Sequence, residues 1–171
     1  MATSYVSGNI RTIITSNWQN ALDLSSVADN LALTLQDTYA NGTGANQVQA
    51  QFHDQRTLAT TTGETLDLRA LTCAFGTLTF AKVKTIIIKL TTATTGYRLE
   101  VGDDQATANK WTAPFKAATD TVRVEAGGIW HAGSPVDGMT VDATHKYLYI
   151  YNPSGGNAVY DIIIIGTGTV A

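Results

Sequence analysis

Charge is scarce in this sequence. Asp, Glu, Lys and Arg make up 15% of the chain, against about 25% in typical soluble domains. The balance is slightly acidic, with a net charge of −3. No general electrostatic pull toward nucleic acid or an anionic membrane follows from it. Cysteine is nearly absent. Cys73 stands alone, so no disulfide can form within the chain and the cysteine count selects no compartment. No apolar run approaches the roughly 20 residues a membrane-spanning helix needs. The stretch Met1-Ala2-Thr3-Ser4-Tyr5 lacks a basic segment leading into an apolar one, so the reading expects no secretory leader and synthesis in a cytosol.

Catalytic signatures are missing too. There is no phosphate-binding Gly-x-x-x-x-Gly-Lys loop, no Gly-x-Ser-x-Gly elbow, no His-Glu-x-x-His pair and no Asp-x-Asp-x-Asp-Gly calcium loop. His53, His131 and His145 are scattered. Asp103 and Asp104 read as a solvated turn. Asp67, Glu100 and Glu125 each oppose an alternating apolar face and read as wet-face residues. Cys73, in an apolar context, reads as a small core side chain with nothing nearby to lower its pKa. The expectation is a protein without enzymatic activity, cofactor or metal.

What the sequence has is threonine and β-branched alternation. There are 27 threonines, a residue suited to strands with one wet face. The organising stretch is Val159-Tyr160-Asp161-Ile162-Ile163-Ile164-Ile165-Gly166. Its four consecutive isoleucines predict a strand covered on both faces, and Asp161 inside it predicts a buried, satisfied carboxylate. Leu31, Leu33 and Leu35 alternate with polar residues and predict a half-buried strand. Val48–Thr60 reads as another, with Asp54 and Arg56 on one face. Leu66 and Leu68 follow, then a short edge segment Phe75–Phe80. Val83–Leu90 places Ile86, Ile88 and Leu90 on one face and Thr85, Ile87 and Lys89 on the other. Tyr97, Leu99 and Val101, then Val122 and Val124, continue the pattern. Tyr147, Tyr149 and Tyr151 share one face, Leu148 and Ile150 the other. With the Asn152–Asn157 turn, Tyr147–Tyr151 and Val159–Ile165 predict a hairpin.

Eight to ten short strands without a convincing amphipathic helix predict an all-β antiparallel sandwich. A jelly roll is the specific expectation, and an immunoglobulin-like sandwich the alternative. Residues 1–30 read as an N-terminal arm on a β-sandwich domain of residues 31–171, with Ala21–Asp29 a short helical turn or irregular crossing. Ile10, Ile13, Ile14 and Trp18 make the arm apolar. It either lies on its own domain or crosses to a neighbouring subunit. Those four side chains and the stripe Tyr147, Tyr149, Tyr151 are the candidate interface residues, tyrosine being favoured at interfaces. The tyrosine face either lies under the chain's own loops or meets a protein or a sugar. Trp18, Trp111 and Trp130 are core material or stacking platforms.

One resemblance sharpens this. The run Asp37-Thr38-Tyr39-Ala40-Asn41-Gly42-Thr43-Gly44-Ala45-Asn46-Gln47, then His53-Asp54-Gln55-Arg56-Thr57-Leu58, Leu66-Asp67-Leu68, Leu78–Lys84 and the closing Tyr160–Thr167 resemble small virion structural proteins of tailed bacteriophages. The likeness covers about residues 31–168. It implies a particle component assembled in the host cytoplasm: a capsid decoration or cement protein, homotrimeric, seated on the major capsid protein, with no nucleic-acid or membrane partner. A tail or head-fibre component binding host surface glycans is the alternative it implies.

Overall fold

Thirteen strands and no helix form among the residues that the computed structural model describes, 6–21, 23, 25–102 and 108–171, with backbone only at 20 and 21. The strands are β1 (Gly8–Ala21), β2 (Ser26–Asn41), β3 (Gln47–Val48), β4 (Ala50–Leu58), β5 (Thr62–Asp67), β6 (Leu71–Cys73), β7 (Gly76–Leu90), β8 (Arg98–Gly102), β9 (Thr121–Glu125), β10 (Ile129–Gly133), β11 (Met139–Thr140), β12 (Tyr147–Asn152) and β13 (Ala158–Val170). They make a six-stranded sheet in the order β10-β7-β13-β4, with β6 and β11 also on β7, and a four-stranded sheet in the order β5-β12-β8-β9. Every pairing within both is antiparallel. The all-β antiparallel sandwich expected from the alternations is therefore what the chain builds.

Period two places the core. From β7 come Ile86, Ile88 and Leu90, from β13 Tyr160, Ile162 and Ile164, from β12 Leu148 and Ile150, and from β8 Leu99 and Val101, all fully buried. Each pleated strand sends alternate side chains to this one layer. Trp111 closes the core from irregular chain, its indole N–H donating to the Thr140 carbonyl at 2.9 Å. Cys73 is half-buried against the same core. Phe115 stacks on Trp130 with ring centroids 5.7 Å apart.

Several local expectations are overturned. The isoleucine run is covered on one side only: Ile162 and Ile164 are buried, while Ile163 and Ile165 are half-buried on the outer face. Asp161 shares that outer face, where Gln55 donates to it at 2.8 Å. Tyr147–Tyr151 and Val159–Ile165 are not a hairpin. β12 pairs with β5 and β8, and β13 with β4 and β7, so the loop at 153–157 carries the chain from one sheet to the other. Phe75–Phe80 is not an edge segment but the turn and start of β7, the long strand in the middle of its sheet. Ser26–Asp29, expected to be helical or irregular, are strand. Leu22 and Leu24 of that expectation lie outside the described residues, as do Asp103 and Asp104.

Where β13 passes Gly166 the register against β7 slips. Ile165 faces Thr85 and Gly166 faces Val83, which leaves Lys84 as the extra residue of a bulge. Its side chain turns into the body, and its ammonium donates to the Val136 carbonyl at 2.5 Å. Burial, helped by the charge of Lys82, pulls its pKa down. The bulge brings backbone onto backbone: a Cβ at Gly166 would run into the Lys82 carbonyl. Gly155, in the loop between sheets, has open space around it. Gly166→Ala should therefore cost about 1–3 kcal/mol, the usual range for overpacking, and Gly155→Ala less than about 0.5 kcal/mol, as at ordinary surface positions. Urea unfolding of the two variants measures both.

Candidate assembly interface

β1 and β2 pair antiparallel over their whole length, from Gly8 opposite Tyr39 to Ala21 opposite Ser26. The result is a two-stranded ribbon whose first strand is 14 residues long, about 45 Å at the usual rise per residue. Strand β2 thus runs through position 30, where the sequence reading drew the arm's end. It reaches the body through two parallel pairs with β3.

The register sorts the ribbon's side chains into two unlike faces, since residues directly opposite share a face. One carries Ile10, Ile14 and Trp18 from β1 with Val27, Leu31, Leu33, Leu35 and Tyr39 from β2, with Thr12, Ser16, Asp29 and Asp37 among them. The other carries Asn9, Arg11, Thr15, Asn17 and Gln19 with Asn30, Thr34, Gln36 and Thr38. Asn17 and Asn30 bond across it. Of the four arm residues singled out from sequence, Ile10, Ile14 and Trp18 fall on the apolar face and Ile13 on the polar one. Leu31, Leu33 and Leu35, read as half-buried, belong with the first three and are exposed. Trp18 is 75% exposed, Val27 61%, Leu35 53%.

Only the root of the apolar face is covered. Tyr39 is buried, and its hydroxyl meets the Thr85 hydroxyl of β7 at 2.7 Å. Burial pushes its phenol above the ordinary range, against the opposing pull of the Thr85 bond. Beyond Tyr39 and the half-buried Ile10, the large apolar side chains of this face are exposed among the described residues. A two-stranded hairpin alone in water is marginal. Clusters of large exposed apolar side chains such as this one mark interaction surfaces.

The tyrosine stripe lies elsewhere. Tyr147, Tyr149 and Tyr151 stand half-buried on the outer face of the four-stranded sheet, so the sandwich separates them from the ribbon's root. Tyr149 and Tyr151 run parallel with centroids 6.3 Å apart, and the Tyr149 ring covers Gly63, where a Cβ would collide with it. The Lys146 ammonium sits 4.4 Å from the Tyr147 ring centre and 2.7 Å from Asp67. Neighbouring charges are paired: Arg98 with Glu100 at 3.3 Å and Arg123 with Glu125 at 3.8 Å.

A half-buried carboxylate that sequence reasoning missed is Glu64. Tyr160 donates to one of its oxygens at 2.6 Å, and the Arg56 Nε to the other at 2.7 Å. Arg56 also holds Asp54 at 2.8 Å. Burial first, then the bond to Glu64, drives the Tyr160 phenol far above its ordinary pKa. Both Glu64 oxygens are occupied, and the set ties β5 to β4 and β13 across the two sheets. It acts as a structural clamp between the sheets. Its partners lie 96 residues apart, so no local pattern marks it. Asp142 is held down to about 2 by bonds from Thr144 and His145 in an exposed turn. His53 and His131 are exposed and apart, and no cluster of three or more metal-ligating side chains occurs among the described residues.

Comparison with protein-family models, with curated proteins and with solved structures finds no match to this chain. The interface argument therefore rests on the ribbon itself. An open apolar face should close on association. Acrylamide should quench Trp18 freely in dilute protein and at least twofold less as concentration rises, with Trp18→Phe supplying the background from the other tryptophans. Quenching that ignores concentration would mean that the face stays open.

Proposed function

We propose that this chain is a virion structural protein of a tailed bacteriophage: a capsid decoration or cement protein, homotrimeric, that seats on the major capsid protein and bridges its subunits. The observation that carries the reading is the long amphipathic ribbon whose apolar face, beyond its root at Tyr39, is largely exposed among the described residues. Such a device suits a protein that works by binding its neighbours. Covering each Leu, Ile or Val is worth about 1.5–3 kcal/mol on full burial. Several such contacts repeated on a symmetric shell multiply weak interfaces into firm attachment.

The body suits the same work. We read the strand orders β4-β13-β7-β10 and β5-β12-β8-β9 as a jelly roll of eight strands in two sheets, a scaffold found in viral capsid domains. Satisfied ion pairs and a saturated Glu64 support a role in holding, with no chemistry to perform and no cofactor. The virion, assembled in the host cytoplasm, is the place this role implies.

A second reading has its own support. The parallel pair Tyr149 and Tyr151, beside Tyr147 on an outer sheet face, offers aromatic side chains of the kind that contact sugar rings, which fits a head-fibre or tail component that binds host glycans.

The readings part under substitution. Leu31→Asp with Leu33→Asp should lower occupancy on purified particles more than tenfold, read by densitometry after adding the protein to undecorated heads. Thr34→Lys, on the polar face, should leave occupancy unchanged, and so should Tyr149→Ala. Full occupancy of the double variant would remove the ribbon from the mechanism. Glycan binding lost only in Tyr149→Ala would favour the second reading.

A further inference from the structure

A second apolar surface lies open on the same chain. The registers of β4, β13, β7 and β10 lay out the outer face of the six-stranded sheet in rows. Ile165 stands between Gln51 and Thr85. Ile163 stands between His53 and Ile87, with His131 beyond. Asp161 stands between Gln55 and Lys89, with Ile129 beyond. On the two central strands Ile163, Ile165 and Ile87 thus stand beside Asp161, Thr85 and Lys89, and Ile129 stands on the edge strand. Ile163, Ile165 and Ile87 are half-buried by their own neighbours alone, and Ile129 is 63% exposed. A solvated sheet face alternates to polar side chains. The four isoleucines depart from that, and a second layer would cover them.

We propose that this face receives the apolar face of the β1–β2 ribbon from a second copy of the chain. The inference rests on the assembly reading above and names its acceptor. Two observations carry it. The first is continuity: Tyr39, on the apolar side of the ribbon, is already buried on this sheet face at Thr85, so the two surfaces meet at one point within each copy. The second is exposure: the ribbon leaves the rows from Asp161 to Ile165 bare, and its own Trp18, Val27 and Leu35 stay open, so neither surface covers the other within a copy.

Donor and acceptor are different surfaces, so the contact is heterologous and repeats around a ring. Each copy gives one ribbon and receives one. Two layers of β structure then pack about 10 Å apart, as sheets do.

The test exploits the asymmetry. Leu33→Arg disables the donor and Ile163→Arg the acceptor. By light scattering after gel filtration, wild type should run at three times 18.2 kDa. Each variant alone should be monomeric, with association weakened at least a hundredfold. An equimolar mixture should give a one-to-one complex, because Ile163→Arg keeps an intact ribbon and Leu33→Arg an intact acceptor. As a check free of folding defects, Leu33→Cys and Ile163→Cys, each in a Cys73→Ser background, should form a disulfide between copies when mixed. Ile163→Arg that assembles like wild type, with no cross-link, overturns the acceptor while self-association through ribbons stands. Wild type that stays monomeric overturns both.

Discussion

Ile162 and Ile164 are buried in the core between the sheets; Ile163 and Ile165, each one residue away, stand half-buried on the outer face. That alternation in the middle strand is the constraint on which the molecule depends. A pleated strand sends side chains to two faces, and an apolar side chain on either face wants a layer above it. The four-stranded sheet supplies one layer and no more. The chain then carries its own candidate for the other: a ribbon with one apolar face, joined to the body at Tyr39.

The strands themselves were legible because alternation is local. Ile86, Ile88 and Leu90 against Thr85, Ile87 and Lys89 follow from spacing alone, as do the tyrosines of β12 against Leu148 and Ile150. Pairing was not legible. β12 and β13 are neighbours in sequence and belong to different sheets, since a short loop can cross a sandwich as readily as it can close a hairpin. The isoleucine run was read as covered twice; the physics of that reading holds, but it does not say that the second cover must come from the same chain. The ribbon left only a partial signal. Across the turn near Asp23, Ile14 meets Leu33, while Ile10 faces Asp37 and Trp18 faces Asp29, so the apolar residues of the two strands share a face without marking their pairing in the sequence. The Glu64 clamp left none, because Tyr160, Arg56 and Glu64 come together only when both sheets do.

The scarcity of charge takes on structural meaning here. In the body most charged side chains are spoken for: Arg56 by Glu64 and Asp54, Lys146 by Asp67, Arg98 by Glu100. Neutral threonine, asparagine and glutamine cover the rest. Surfaces of this kind pack against one another with little desolvation penalty, because few ions lose water. The proposed role, among copies of this chain and of a shell protein, gains from that composition.

A heterologous contact has a hazard: it closes into a ring at one angle and runs on as a filament at others. On the proposed docking, the angle is set where the ribbon leaves the body. Three attachments hold that point: Tyr39 on Thr85, the β2–β3 pairs at Ala40 and Asn41, and the Asn46 amide on the Pro135 carbonyl at 2.9 Å. They fix the ribbon's root from separate directions, which a single hinge would not. The polar reverse face, with Arg11 and its asparagines and threonines, discourages a second ribbon from stacking behind the first. Rigidity at the root and polarity at the back are thus the two features that turn an exposed apolar strip from an aggregation hazard into a joint of defined geometry.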